Sequence, residues 1–147
     1  MMSLAEALIA GAAEHVHGNT VVEYQGATVD LTPPWRRVTM ADLVRETSGI
    51  DFGAIDADDA DALAAARAAA AAAGVANAEE APSAGKLLAM CFDDLCEESL
   101  IQPTFVTEYP IEISPLAKPH RAKAGVTECA LPPLPTPHAR GALIPSS

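Results

Sequence analysis

The side chains that could do chemistry in this sequence are few, and they are scattered. The three cysteines, Cys91, Cys96 and Cys129, form no C-x-x-C pair and have no histidines at metal-ligand spacing. Cys91 and Cys96 are five residues apart and would point in different directions on a regular helix. His15 and His17 are two apart on a predicted helix and do not face each other. The sequence therefore predicts no metal site and reduced thiols.

Four acidic side chains crowd one predicted helix: Asp93, Asp94, Glu97 and Glu98. Paired carboxylates can act as a general acid and base, but the sequence places no pocket or partner cation beside them. A solvated helix face is therefore favoured. Ser114 lacks a histidine and an acid at a recognisable spacing, so a strand-end hydroxyl is favoured over a nucleophile.

A calcium loop is a further pattern that the residues do not complete. Asp56 and Asp58 have the spacing of such a loop, whose sixth residue is glycine and whose twelfth is glutamate. Here those positions hold Asp61 and Arg67. The sequence instead predicts a helix that begins with acidic residues, continues through alanine and ends at Gly74.

The charge distribution argues against a nucleic-acid footprint built by this segment alone. The net charge is −11, and residues 51–100 hold eleven acids against two cations, a net of −9. Phosphate binding requires clustered Lys and Arg. The only dense cations, Arg36, Arg37 and Arg45, leave two interpretations open: a phosphate or RNA contact, or pairing with the acidic helices.

A helix is predicted at the start of the chain. Ser3 and Glu6 have the spacing of a capping box, and Gly18 follows the last helical residue. The apolar positions at helical spacing are Leu4, Leu8, Ile9, Ala12 and Ala13.

A hairpin and a short helix are predicted next. The β-branched runs "TVVEY" and "ATVDL" flank Gln25–Gly26, which is typical of a hairpin turn. Thr39 and Asp42 mark the start of a helix over about 41–47, and Gly49 ends it.

The second half of the chain predicts two helices and a strand pair. The alanine-rich helix has little to pack beyond Leu63, so we expect it in a surface insertion. Ser83 caps a helix that continues to residue 99, and strands follow near 104–108 and 111–114. The apolar face of the later helix comprises Leu87, Leu88, Cys91, Phe92 and Leu95.

No stretch of the sequence predicts a membrane span or a leader. No apolar run approaches the roughly 20 residues that a spanning helix needs. The N-terminal residues "MMSLAEALIAGAAEHVHG" lack the basic residues of a secretory or transit peptide. Only 4% of the 147 residues are aromatic, so any core is thin.

The amino-acid sequence of residues 100–128 closely resembles that of one protein family. "LIQPTFVTEYPIEISPLAKPHRAKAGVTE" is similar to the stretch of class II lysyl-tRNA synthetases that precedes their metal-binding glutamates, with "QPTF", "SPLAK" and the basic "HR" as the specific motifs. Upstream, "YQGATVDLTPPWRRVTMADLVRETSGIDF" resembles the hairpin and helix after motif 2 of that family, and "MMSLAEAL" resembles the start of the helix that follows motif 2. The resemblance is collinear over residues 1–128.

The resemblance implies an α+β fold, a partial class II catalytic domain with antiparallel sheet pieces, helices and a helical insertion. We expect residues 1–52 to form the core segment after motif 2, and 53–99 the acidic insertion. Residues 100–128 would form a strand pair in the catalytic core. The Pro-rich residues 129–147 depart from the family and predict a disordered tail.

The family activates lysine with ATP and transfers it to tRNA(Lys). The resemblance therefore implies ATP and Mg2+ for the complete enzyme, a homodimer, and a cytoplasmic or organellar translation compartment. The family's motif 1 and motif 2 residues would precede Met1, and its magnesium-binding glutamates and motif 3 arginine would follow Glu128. We therefore assign no catalytic, substrate-binding or metal residue. Lys118 and Arg121, the nearest cations, receive no role, and we expect no tight ATP or Mg2+ binding.

Three interpretations of the chain stay open at this point. It is part of a lysine–tRNA ligase catalytic domain, a non-catalytic derivative that docks on a partner, or a pseudogene product without a stable fold. The change to proline-rich sequence after Glu128 suggests a read-through intron, a frameshift or a mis-joined gene. Because its strands would expose unpaired edges, we expect the isolated chain to be marginally stable.

Overall fold

The computed structural model of the chain describes residues 1–24, 26–55, 59–128 and 130–131. Within these ranges the predicted α+β class is confirmed. The helices are α1 (Met2–His17), α2 (Met40–Ser48), α3 (Ala60–Ala72) and α4 (Ala84–Cys91), and the strands are β1 (Val21–Tyr24), β2 (Ala27–Asp30), β3 (Arg36–Thr39), β4 (Thr104–Thr107) and β5 (Ala130–Leu131). Asp56, Asp58 and Cys129 lie outside the described residues. Of the tail predicted to be disordered over 129–147, residues 130–131 form β5 instead, and residues 132–147 lie outside the described residues.

The predicted hairpin is confirmed. β1 and β2 pair antiparallel, with Val22 opposite Val29 and Tyr24 opposite Ala27. Gly26 has a φ of +83°, a left-handed conformation that glycine adopts without steric cost. Gln25, the other predicted turn residue, lies outside the described residues.

A second sheet has the order β3-β4-β5, so β4 is its central strand. β4 and β5 pair antiparallel, in agreement with the expected antiparallel pieces, but β3 and β4 pair parallel, with Arg36 opposite Thr104. A parallel pair needs a long crossover connection, and residues 40–103 provide one that contains α2, α3 and α4. The sequence did not predict β3, because its four residues begin with two arginines and show no apolar alternation.

β4 is buried on both faces and separates two groups of side chains. Successive side chains of a strand point to opposite faces of the sheet, so the side chains of Phe105 and Val106 lie on opposite faces. Val106 joins the helical core, whereas the ring of Phe105 stacks on Trp35 with centroids 5.4 Å apart. The strand thus connects the helical core to the side of the sheet that carries Trp35.

The helical core is formed by α2, α3, α4 and the residues that follow α4. Its fully buried members include Val44, Ala70, Leu87, Cys91 and Cys96. The expectation that α3 has little to pack beyond Leu63 is wrong, because Ala66 and Ala70 are buried in this core. Small alanine side chains let a helix approach its neighbours closely, so an alanine-rich helix can pack without large apolar residues.

α1 differs from its prediction at its start and in its buried face. It begins at Met2 after an N-cap at Met1 that makes no side-chain capping bond, so the Ser3–Glu6 capping box is wrong. Glu6 is buried instead, whereas Leu4 and Leu8 are exposed. The predicted end is confirmed, since Gly18 caps the helix with a φ of +70°.

The predicted caps of α2 and α4 are confirmed. The Thr39 hydroxyl accepts a hydrogen bond from the backbone N–H of Asp42 at 3.0 Å, and Gly49 ends α2 with a φ of +77°. The Ser83 hydroxyl accepts from the N–H of Lys86 at 3.2 Å. Each bond satisfies a donor of the first helical turn that has no partner within the helix.

The helix predicted to continue to residue 99 changes its geometry after Cys91. Residues Phe92–Cys96 form a π-helical turn, and Glu97–Ser99 form a 3-10 turn. A π turn has more residues per turn than an α-helix, so residues five apart return to one side. Cys91 and Cys96 are both fully buried in the helical core.

The second predicted strand, near 111–114, is wrong. β4 ends at Thr107, Glu108 adopts a left-handed φ of +59°, and residues 111–113 form a turn. The conformation of Glu108 redirects the backbone away from the sheet. Residues 109–128 then fold back on themselves.

Candidate functional site

The segment after β4 closes on itself through backbone hydrogen bonds. The N–H of Thr127 donates to the carbonyl of Tyr109 at 2.9 Å, and the N–H of Ile111 donates to Gly125 at 3.0 Å. We call residues 118–128, which carry four basic or imidazole side chains, the basic loop. The N–H of Glu128 donates to the carbonyl of Lys118 at 2.8 Å, so this bond joins the two ends of the basic loop.

The cations of the basic loop are paired with carboxylates. Lys118 Nζ lies 3.4 Å and Arg121 Nε 3.0 Å from oxygens of Glu128. Lys123 Nζ lies 2.6 Å from Glu108 Oε1. Desolvation opposes ionisation of Glu128, but the charges of Arg121 and Lys118, together with hydrogen bonds from these residues, outweigh it and lower its pKa. Because these pairs are exposed, each contributes little to stability.

His120 stabilises the backbone of the basic loop. Its Nδ1 accepts hydrogen bonds from the N–H groups of Ala122 and Lys123, each at 3.1 Å. A ring nitrogen that accepts two backbone hydrogens has no free lone pair for a metal or a substrate proton. In this arrangement His120 shapes the turn.

The dense arginines also have acidic partners. Arg36 pairs with Glu46, Arg37 NH2 lies 3.3 Å from Glu6, and Arg45 NH2 lies 2.8 Å from Asp42. The arginines do pair with carboxylates, but the prediction that the acidic helices supply the partners is wrong, because Glu6 lies on α1 and Asp42 and Glu46 lie on α2. The sequence analysis did not predict Glu6 as the partner of Arg37, because it assigned Glu6 to a capping box at the start of α1.

A cleft of about 470 Å3 lies between the hairpin and the residues that lead into β4. Gln102 spans it: its Oε1 accepts from the N–H of Asp30 at 3.0 Å, and its Nε2 donates to the carbonyl of Thr28 at 2.8 Å. The side chain of Gln102 thus extends the hydrogen bonding of β2 and attaches the hairpin to the second sheet. The cleft is lined by Ala27, Thr28, Arg36, Ser99, Leu100, Ile101, Gln102 and Thr104.

The remaining candidates from the sequence do not assemble into a catalytic group. Ser114 lies in the turn after residue 113, where its carbonyl accepts from the N–H of Ala117 at 3.0 Å. Asp93 and Asp94 are exposed, and Asp94 accepts a hydrogen bond from the N–H of Ala76 at 2.9 Å. Across the described part of the chain, no three His, Cys, Asp or Glu side chains are grouped so as to hold a metal ion.

The buried thiols are held in their protonated form. Burial, followed by the nearby Cys96 and Asp94, raises the pKa of Cys91 to about 11. Burial also raises the pKa of Cys96, although its hydrogen bond with Thr47 opposes the shift. Since the thiolate is the reactive form, these cysteines are core residues rather than nucleophiles.

We expect the raised pKa of Cys91 to make stability fall at alkaline pH. The thiol of Cys91 has a pKa near 9 in the unfolded chain and about 11 in the folded chain. As the pH rises, the unfolded state therefore loses this proton first. The contribution of the protonated thiol to the free energy of unfolding is lost between pH 9 and pH 11. Urea unfolding at pH 8 and pH 10.5 should show a larger loss for the wild-type chain than for Cys91→Ala. Equal losses of stability in the two proteins would contradict this, because the proteins differ only at residue 91.

The family model of class II tRNA synthetases (D, K and N) matches residues 1–132. The chain belongs to this family. Within the described residues, no helix is both long and apolar enough to cross a membrane.

The curated relatives of this class II synthetase chain include several lysine–tRNA ligases. The enzyme of Nostoc punctiforme is 50% identical over 128 residues, which are 87% of this chain and 22% of the relative. That of Synechococcus sp. strain CC9605 is 47% identical over 128 residues, 87% of this chain and 24% of the relative. The enzyme of Thermoanaerobacter sp. strain X514 is 47% identical over 118 residues, which are 80% of this chain and 22% of the relative. This chain thus spans between a fifth and a quarter of these relatives.

Proposed function

We propose that this chain is a segment of the catalytic domain of a lysine–tRNA ligase, which uses ATP to activate lysine and transfers it to tRNA. The observation that carries the proposal is the 50% identity to a curated lysine–tRNA ligase over 128 residues, within a family match to residues 1–132. The substrates of the whole enzyme would then be lysine, ATP and tRNA(Lys).

We infer that the chemistry of that reaction comes from residues outside this segment. Phosphoryl-type chemistry needs a cation or metal positioned on the developing charge. Arg36, Arg37 and Arg45 are already paired with carboxylates, and no group of three metal-ligating side chains is found between residue 1 and residue 131 where the structure is described. These residues therefore do not fit ATP and Mg2+. The proposed sites for both lie on other parts of the enzyme.

The contribution of this segment is structural support for those other parts. β4 is buried on both faces and joins two layers, and Gln102 attaches the hairpin to the same region. A strand held in this way can position neighbouring strands that carry reactive groups. Residues 1–52 and 100–128 would form the supporting core, and 53–99 a helical insertion that packs on it.

The proposed function also implies a cellular compartment and an oligomeric state for the whole enzyme. A lysine–tRNA ligase works where translation occurs, in the cytoplasm or in an organelle. The dimer contacts of the family would come from motif 1, outside this segment.

A chimera tests the proposed function. Residues 1–128 replace the matching 128 residues of the Nostoc punctiforme ligase, and ATP-dependent attachment of lysine to tRNA is measured. We expect lysylation within about tenfold of the parent enzyme, since binding and chemistry are left to the parent's residues. The control is the isolated 147-residue chain, for which we expect no lysylation.

Two outcomes would overturn the proposal. One is a chimera that unfolds cooperatively, and is therefore folded, but attaches no lysine. The other is a chimera that attaches aspartate or asparagine instead, the other amino acids of this family.

A further inference from the structure

Three features that cost stability meet where β4 ends and the chain returns to β5. Glu108, directly after β4, has a left-handed φ of +59°, which residues other than glycine adopt at a steric cost. Among the other described residues, a positive φ occurs at glycines and at Asn77, and asparagine is one of the residue types found most often in that conformation. Glu108 therefore carries backbone strain that its residue type does not relieve.

The pairing between the two segments shifts by one residue at the same point. Thr107 lies opposite Ala130, so in a continuous antiparallel ladder Pro110 would lie opposite Thr127. The partner of Pro110 is Val126 instead. Such a β-bulge redirects side chains, and bulges are frequent beside active sites. We call the residues at this shift, Glu108, Thr127 and Glu128, the bulge.

The third feature is the hydroxyl of Thr127. Thr127 is fully buried between two neighbouring segments, since its N–H donates to the carbonyl of Tyr109 at 2.9 Å and it also pairs with Pro119. Its Oγ1 has no hydrogen-bond partner among the described residues. Burying a hydroxyl without a partner costs stability, and valine would fill nearly the same volume without that cost. Packing alone does not explain a threonine at this position.

Ion pairs connect the bulge to the basic loop. Both carboxylate oxygens of Glu108 accept from Lys123 Nζ, at 2.6 and 2.7 Å, and Glu128 pairs with Lys118 and Arg121. The pair with Lys123 thus joins the strained end of β4 to the loop through which the chain returns to the sheet. Because this pair is partly exposed, it contributes little to stability, and its main effect is to fix geometry.

We propose that Glu108 is a positioning residue of the ligase. Acting through Lys123, it fixes the direction in which the basic loop leaves β4 and the register at which the chain returns to the sheet at β5. The proposal rests on the proposed function. A strained φ, a register shift and an unpaired buried hydroxyl coincide at the bulge, and such costs persist where function requires the geometry. In the ligase, the chain that follows β5 starts from the position that the bulge fixes.

Glu108→Gly should change stability and lysylation in opposite directions. Glycine adopts a positive φ without steric cost, so we expect the midpoint temperature of unfolding of the 147-residue chain to stay equal or rise. In the chimera the same change removes the pair with Lys123. We expect kcat for lysylation to fall about tenfold or more, because small displacements of reacting groups have large effects on rate. KM for lysine should change by less than about twofold.

Asn77→Gly is the matched control. It relieves a positive φ of 55° at a residue outside the bulge, so we expect the midpoint to stay equal or rise and lysylation to stay unchanged. Lys123→Met breaks the pair with Glu108 and leaves the backbone of Glu108 as it is, and its kcat should fall as in Glu108→Gly. Lys123→Arg keeps a cation beside Glu108 and should retain most of the activity.

The proposal fails if the Glu108→Gly chimera keeps the kcat of the unchanged chimera. It also fails if the midpoint temperature falls, since Glu108 would then serve stability alone. A folded chimera without any lysylation refutes the proposed function instead. In that case amide hydrogen exchange in the 147-residue chain decides: faster exchange over residues 118–128 in Lys123→Met supports positioning through the pair, and unchanged exchange overturns it.

Discussion

Phe105→Ala should lower the free energy of unfolding by about 3–5 kcal/mol, the usual range for truncating a buried phenylalanine. The ring is 2% exposed and stacks on Trp35 with centroids 5.4 Å apart. It lies on β4, the central strand of its sheet. The substitution therefore leaves a cavity beside one of the chain's few aromatic rings, and few other large side chains can fill it.

Urea unfolding followed by far-ultraviolet circular dichroism measures this loss. Leu116→Ala is the control, because Leu116 is fully exposed and surface truncations change stability by less than about 0.5 kcal/mol. A Phe105→Ala chain as stable as Leu116→Ala would show that β4 does not hold the two layers together.

Glu6→Ala should lower the free energy of unfolding by about 2 kcal/mol. The carboxylate is buried and accepts hydrogen bonds from the N–H of Trp35 at 3.2 Å and from Arg37 NH2 at 3.3 Å. Removing it leaves the buried Trp35 N–H without an acceptor, which costs about 1–3 kcal/mol. The Arg37 guanidinium is half exposed, so its ion pair adds less.

Glu6→Gln separates the hydrogen bond from the charge. The amide oxygen can still accept from Trp35, so we expect its loss of stability to be less than half that of Glu6→Ala. Midpoint temperatures of both variants provide the comparison. If the two variants lose equal stability, the negative charge and its pair with Arg37 matter more than the bond to the backbone.

Several elements could be predicted because their determinants are local. Thr39 and Ser83 cap helices by accepting from N–H groups three residues ahead. Gly18 and Gly49 end α1 and α2 because each adopts a positive φ, which costs other residues more. In each case the residue type and its near neighbours contain the whole physical reason, and the structure agrees.

The errors in the strands concern contacts between distant parts of the chain. β3 forms because Arg36–Thr39 align with β4 across residues 40–103, and no local pattern indicates that pairing. The strand predicted near 111–114 fails because Glu108 turns the backbone and the segment bonds to residues 125–127 instead. The helix predicted to continue to residue 99 fails for a local reason, because it changes to a π turn at Phe92–Cys96.

The sequence by itself determined four helix caps, the hairpin and, through its motifs, the family, since these depend on residue types along the chain. The four caps are Gly18, Thr39, Gly49 and Ser83. The tertiary structure alone decided which side of α1 is buried, which acid pairs with Arg37, and how Gln102 holds the hairpin. The contacts of Glu6 and Gln102 join residues 29 to 74 positions apart. Their free energy comes from removing groups from water at a place that only the folded chain creates, and spacing along the sequence does not encode it.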